Sequence, residues 1–202
     1  MTDNRIGIMG GTFDPIHVGH LAIAEAVREE FSLRQVLFIP ANIPPHKQGR
    51  RIVPADKRLA MVKLATADNA AFTVLDIELK RNGPSYTVDT LDELRRNAPP
   101  TDEFYFITGT DAADELATWY KPTEILAKCH IVVTSRPGVE FDPDKLAGDL
   151  GTGVYEKVHR LTTPRLEISS TDIRRRLAAG RSVRYLLPEA VRKFIYQEGL
   201  YQ

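Results

Sequence analysis

The chain has 202 residues, 43% hydrophobic and 27% charged, which is an ordinary globular composition with enough length to bury a core without disulfide or metal staples. Lysine plus arginine and aspartate plus glutamate balance at 27 each, so any anion-binding site must come from a local cluster rather than from overall charge. The single cysteine, Cys129, excludes an internal disulfide and a cysteine-based zinc cluster, and no apolar run is long enough to span a bilayer.

Residues 5–9 are short and apolar, as in a strand at the centre of a parallel sheet. A loop follows, and a helix is predicted over 20–31, with Ile23, Val27 and Phe31 four apart. Val36-Leu37-Phe38-Ile39 reads as a second buried strand stopped by Pro40, which completes the βαβ rhythm of a doubly wound sheet. Residues 42–54 form a loop carrying His46, Lys47, Arg50 and Arg51, with the two arginines read as solvated. A helix is expected over 56–67 with Leu59 and Val62 on one face. A strand is expected over 72–75, with 77–79 as a candidate extension. A turn at 82–86 delivers the chain into a helix over 87–96, with Val88, Leu91 and Leu94 apolar.

Next come a strand over 103–108, a short helix over 111–116, a loop at 119–122, a helical turn at 123–127 and a strand over 130–134. The polar, glycine-rich stretch 141–153 reads as a mobile excursion, and 154–161 as the last strand. Ser169-Ser170-Thr171 suits the cap of a helix over 172–179, and a final helix over 188–198 has Pro188 in its first turn and Gly199 at its end. No composition break divides the chain. The expectation is one α/β unit over 1–202, a doubly wound parallel sheet with a small helical C-terminal portion.

The loop at 10–20, Gly-Gly-Thr-Phe-Asp-Pro-Ile-His-Val-Gly-His, carries the chemistry. Gly10, Gly11, Thr12 and Phe13 follow the C-terminal end of the first strand, where open α/β sheets bind ligands. Glycines there let backbone N–H groups approach a phosphate. A helix N-terminus faces the same crevice, and His17 and His20, three apart, can donate to one anion. Asp14-Pro15 by itself is a turn device. The loop is neither a Walker loop, since no Gly-Lys-Ser/Thr follows, nor the dinucleotide Gly-x-Gly-x-x-Gly fingerprint.

Residues 10–20 resemble the signature of the nucleotidylyltransferase superfamily, His/Thr-x-Gly-His, here His17-Val18-Gly19-His20. The second superfamily motif, Ile-Ser-Ser-Thr-x-x-Arg, appears as Ile168-Ser169-Ser170-Thr171-Asp172-Ile173-Arg174. The resemblance implies a Rossmann-like fold and transfer of a nucleotidyl group from a nucleoside triphosphate to a substrate phosphate. His17, His20 and Arg174 would be the catalytic residues. Ser169, Ser170 and Thr171 would offer hydroxyls and N–H groups at a second helix N-terminus. Ile173 and Leu177 are expected in the core, Arg174 and Arg176 on the flank, and Arg175 in solvent. Mg²⁺ is expected with the triphosphate, held by phosphates and water rather than by protein ligands.

The segments Ile43 to Lys47, Gly83 to Thr87, Gly109 to Asp111, Trp119-Tyr120 and the C-terminal stretch look like those of bacterial nicotinate-nucleotide adenylyltransferases, over nearly the whole chain. That resemblance implies ATP and nicotinate mononucleotide as substrates. Trp119, with Tyr120, would stack on the pyridinium ring. The resemblance puts the nicotinate carboxylate at Thr87, a helix start that favours an anion over an amide. Lys47 and His46 are candidates for the mononucleotide phosphate. Gly109 and Asp111 are placed at a strand end facing the crevice, Asp111 toward a ribose hydroxyl, and Arg136 near the adenine. Nicotinamide mononucleotide or phosphopantetheine as acceptor, an aminoacyl-tRNA synthetase fragment and a non-catalytic nucleotide sensor are the competing readings. No nucleic acid or membrane partner is expected, the cytoplasm is the expected compartment, and the oligomeric state is left open.

Overall fold

The structure is a computed structural model that describes residues 4–43, 52–135, 141–163 and 166–202. Its centre is a parallel sheet of six strands in the order β3-β2-β1-β4-β5-β6. They are β1 (Arg5–Gly11), β2 (Gln35–Pro40), β3 (Phe72–Val74), β4 (Glu103–Gly109), β5 (His130–Ser135) and β6 (Val158–Thr162). The order reverses between β1 and β4, where Ile8 pairs with Leu37 on one side and Phe106 on the other. That reversal opens a crevice at the C-terminal ends of these two strands.

The helices are α1 (Val18–Glu30), α2 (Ala55–Thr66), α3 (Thr87–Asn97), α4 (Thr110–Asp114), α5 (Pro122–Lys128), α6 (Pro143–Leu150), α7 (Val154–Lys157), α8 (Ser170–Ala178) and α9 (Glu189–Gln197). Strand alternation divides them into two layers. Met9, Val36 and Phe38 face Val27 of α1, Met61 of α2, Ile173 of α8 and Ile195 of α9. Ile8, Leu37 and Ile39 face Leu91 of α3, Ile125 of α5 and Leu146 of α6. This is the expected Rossmann-like α/β fold, and the C-terminal helices α8 and α9 complete one of its two layers. A Cβ at Gly7 would lie 2.9 Å from Leu33 Cδ1, so the buried Leu33 side chain would have to shift to admit one.

Several expectations are corrected. The first strand runs on through Gly10 and Gly11, which pair with Ile39 and Pro40 of β2. Residues 77–79 are turns, not a strand extension. The stretch 141–153 is built structure: Asp142 caps α6 by accepting from the N–H of Asp144, while Phe141 and Leu146 are buried. Its polar composition hides two side chains that anchor it to the sheet. Residues 154–157 form α7 and only then enter β6. On α2 the inward residues are Arg58, Met61, Val62 and Ala65, with Leu59 only half-buried.

Arg58 is wholly buried, which a helix-face reading does not anticipate. Its Nε donates to the Val53 carbonyl at 2.9 Å, and one terminal nitrogen donates to both Thr12 and Ala41 carbonyls at 2.7 Å. The other terminal nitrogen reaches the Asn42 carbonyl at 3.2 Å. The guanidinium thereby ties the exits of β1 and β2 to the start of α2. Arg58→Met keeps much of the bulk but strands these carbonyls, and is expected to cost about 3–5 kcal/mol. Urea unfolding checks this as a lowered midpoint at unchanged slope. A midpoint equal to that of the wild type would mean the carbonyls are satisfied without Arg58.

Candidate active site

The loop leaving β1 is fixed from outside. Phe13 adopts a left-handed backbone, φ 48°, and the Asp14-Pro15 peptide is cis. Asp14 is buried, and its Oδ1 accepts from the Tyr201 hydroxyl at 2.6 Å and the Val53 N–H at 3.4 Å. Arg174 donates to the Asp14 backbone carbonyl at 2.7 Å and lies 3.8 Å from its Oδ2. The Ser170 hydroxyl donates to the Pro15 carbonyl at 2.8 Å. Burial and the Asp14 carboxylate push the Tyr201 phenol well above its ordinary pKa, so it stays a donor.

The loop ends at His17, the N-cap of α1, with His20 one turn on. Their rings stack with centroids 3.7 Å apart. The His17 N–H donates to His20 Nδ1 at 3.2 Å, so a neutral His20 carries its proton on Nε2. Burial lowers the His17 pKa to about 4, which keeps this imidazole neutral near pH 7. A Cβ on Gly19 would lie 3.0 Å from His17 Nδ1, so the pair needs glycine between them.

Two cavities flank this loop. The larger, about 620 Å³, is lined by Gly10, Gly11 and Thr12 on one side and by Thr87, Trp119 and Tyr120 on the other. Trp119 is braced edge-on against Phe106 at 5.8 Å, and Tyr120 packs on Tyr86 at 4.7 Å. Tyr86 caps α3 without a side-chain hydrogen bond, so the helix presents first-turn N–H groups beside Thr87. The smaller cavity, about 360 Å³, brings together His17, His20, Ser169, Ser170, Thr171 and Arg174. Ser169 caps α8 by accepting from the Asp172 N–H at 3.1 Å, and Arg174 also donates to the Thr171 hydroxyl at 3.2 Å.

Most residues singled out from the sequence therefore gather around one loop. Ile173 and Leu177 are buried, and the Arg175 side chain is 77% exposed, as expected. Phe13 is placed differently: its side chain is in the core, edge-on to His20, which leaves only its backbone for a ligand. Gly109 is the N-cap of α4 and Asp111 an exposed residue in its first turn, and neither lines these cavities. His46, Lys47, Arg50, Arg51 and Arg136 lie outside the described residues. Sequence reasoning missed Arg58, Tyr201, Lys121 and Glu78. The last two line the larger cavity, and only the position of Glu78 just before the Asn82 to Thr87 turn could have flagged it.

A cytidylyltransferase-like family model matches residues 8–176, which include both histidines and the Ser169 to Arg174 turn. A probable nicotinate-nucleotide adenylyltransferase of Desulfitobacterium hafniense is 49% identical over 98% of this chain and 96% of its own length. One from a Thermoanaerobacter species is 46% identical over 98% and 94%. The chain belongs to the nicotinate-nucleotide adenylyltransferase family. The solved Plasmodium falciparum nicotinic acid mononucleotide adenylyltransferase complexed with NaAD shares the fold, with a TM-score of 0.81 at 18% identity over 98% of this chain and 97% of that one. No helix among the described residues is long and apolar enough to cross a membrane.

In this family member the His17 burial has a measurable cost in acid. The folded pKa, about 4, lies below the unfolded value of 6.5, so between them the unfolded state binds the extra proton. The stability contribution is full above pH 6.5 and is lost as pH falls toward 4. It amounts to about 2 kcal/mol between pH 7 and pH 5. His130 and His159 are lowered by burial as well, so the comparison is with His17→Asn, which keeps them. Urea midpoints at the two pH values should draw closer together in the variant; an unchanged gap would mean His17 is solvated.

Proposed function

We propose that this chain joins the phosphate of nicotinate mononucleotide to the α-phosphate of ATP, releasing pyrophosphate and forming nicotinate adenine dinucleotide. One observation carries the reading: a single loop walls both cavities, with Gly10 to Thr12 on the aromatic side and His17 to His20 on the side of Ser169 to Arg174. An acceptor in the first cavity and a triphosphate in the second would meet at that loop. The names of the full-length relatives support the same substrates.

The acceptor phosphate is ionised near neutral pH, so its oxygen attacks the α-phosphorus without a general base. The bond to the β-phosphate breaks, and its electron pair leaves with pyrophosphate. The protein's share is alignment and charge stabilisation. His17 and His20 donate N–H groups to the phosphoryl oxygens, and His17 does so as a neutral imidazole. Ser169, Ser170 and Thr171 line the triphosphate with hydroxyls and N–H groups. Arg174, anchored on the Asp14 carbonyl, faces the β- and γ-phosphates. Magnesium enters as part of the nucleotide substrate, carried by phosphate oxygens and water. Among the described residues no trio of His, Cys, Asp or Glu converges to hold a metal ion.

On the acceptor side, the Trp119 indole stacks on the pyridinium ring and the N–H groups at Thr87 receive the carboxylate. Lys47 and His46 are assigned to the mononucleotide phosphate and Arg136 to the adenine side, on resemblance alone. The buried free thiol of Cys129 suits a reducing compartment such as the cytoplasm.

Pyrophosphate release from Mg-ATP with three acceptors tests the proposal. Nicotinate mononucleotide should exceed nicotinamide mononucleotide by about tenfold or more in kcat/KM, with phosphopantetheine inactive. His17→Ala and His20→Ala should each lower kcat by about 100-fold or more. Release with phosphopantetheine alone would move the acceptor reading to the sister chemistry. Unchanged turnover in both variants would remove the histidines from catalysis.

A further inference from the structure

The larger cavity contains a buried acid that the proposed chemistry does not use. Glu78 lies in the turns after β3, its side chain is only 8% exposed, and it lines the cavity beside Ser85, Tyr86 and Thr87. Its Oε1 accepts from the Thr90 hydroxyl at 2.6 Å, and Ser85 lies beside it in the same lining. Arg81 stands 3.8 Å from that Oε1, beyond hydrogen-bond distance, and donates instead to the Thr90 hydroxyl. Ser85 accepts from the Asn42 N–H at 2.9 Å, and the Ser85 N–H donates to the Ile43 carbonyl at 3.0 Å. The carboxyl thus ties the turns after β3 to the first turn of α3.

The 82–86 turn is held on its β2 side by the Ser85 bonds to Asn42 and Ile43, and its side toward α3 is looser. Gly83 has a positive φ of 92° and open space around it, and Tyr86 makes no side-chain cap bond to α3. The position of Thr87 relative to the aromatic wall at Trp119 and Tyr120 therefore depends on what Ser85 and Thr90 are fastened to. We propose that Glu78 is a positioning residue for the acceptor: by clamping Thr90 it sets the start of α3 against the Trp119-Tyr120 wall. The proposal rests on the adenylyl-transfer reading for the identity of the acceptor. It leaves the triphosphate cavity untouched, since Glu78 is absent from that lining.

The test separates acceptor from nucleotide. Trp119 is the only tryptophan, so its fluorescence reports acceptor binding without turnover. In Glu78→Ala the KM for nicotinate mononucleotide and the Kd from Trp119 fluorescence should both rise by about tenfold, while kcat and the KM for ATP stay within about threefold. Glu78→Gln keeps an acceptor oxygen for the Thr90 hydroxyl and should stay within about threefold of the wild type on every parameter. If Glu78→Ala does not fold, Glu78→Asp, one methylene too short to reach the Thr90 hydroxyl, should show the same split. An acceptor Kd unchanged in the shortened variant overturns the proposal. So does a parallel loss in kcat and both KM values that Glu78→Gln fails to restore. If the wild type itself proves to use a different acceptor, the function reading fails on that measurement alone. The Glu78 comparison is then read with the acceptor the wild type uses.

Discussion

The loop between β1 and α1 holds its shape because its polar groups are answered by residues far away in the chain. Arg58 takes the Thr12 carbonyl, Arg174 the Asp14 carbonyl, Tyr201 the Asp14 carboxylate and Ser170 the Pro15 carbonyl. A loop with a positive φ at Phe13 and a buried acid has no reason to persist alone, because each unpaired group would cost about 1–3 kcal/mol. The sheet supplies the crevice, but α2, α8 and the last residues of the chain set the loop within it. The helical C-terminal portion is therefore part of the site. Its helices also bury Ile173, Leu177, Val191 and Ile195 in the same core layer as Met9, so site geometry and core packing share the same contacts.

The two cavities follow from the same constraint. Residues 10–12 end β1 and face the start of α3, while residues 17–20 begin α1 and face the start of α8. The first pairs a helix N-terminus with aromatic rings, which suits a flat ring bearing an anionic group. The second pairs helix N-termini with imidazoles, hydroxyls and an arginine, which suits a chain of phosphates. A chain segment of ordinary length thereby separates two chemical environments and leaves them in contact.

How much of this was legible depends on whether a residue's role is written in its neighbours. His17-Val18-Gly19-His20 could be read because a glycine and two histidines at a helix start serve few purposes together. Ser169 to Arg174 could be read for the same reason, and so could the alternation of buried strands. Arg58 could not: a lone arginine on a helix looks solvated until the carbonyls of Val53, Thr12, Ala41 and Asn42 converge on it. Tyr201 and Glu78 act through partners brought by tertiary packing, and no local pattern announces them. The 141–153 stretch misled because its two inward side chains, Phe141 and Leu146, are outvoted by polar neighbours.

Burial of His17 bears on the kind of catalysis this loop can perform. A general acid or base works best with a pKa near the working pH, whereas desolvation holds His17 near 4. Such an imidazole keeps its single proton and offers it as a hydrogen bond rather than passing it on. The proposed reaction asks for no more than that, since the attacking phosphate is already ionised and pyrophosphate leaves as an anion. His20, with Nδ1 accepting from the His17 backbone, presents Nε2–H in the same manner when neutral. The positive charge of the site is left to Arg174, whose planar guanidinium is anchored on the Asp14 carbonyl. In the proposed reaction, an imidazole donor held neutral at His17 and a guanidinium at the flank would give phosphoryl stabilisation that does not depend on protonating His17.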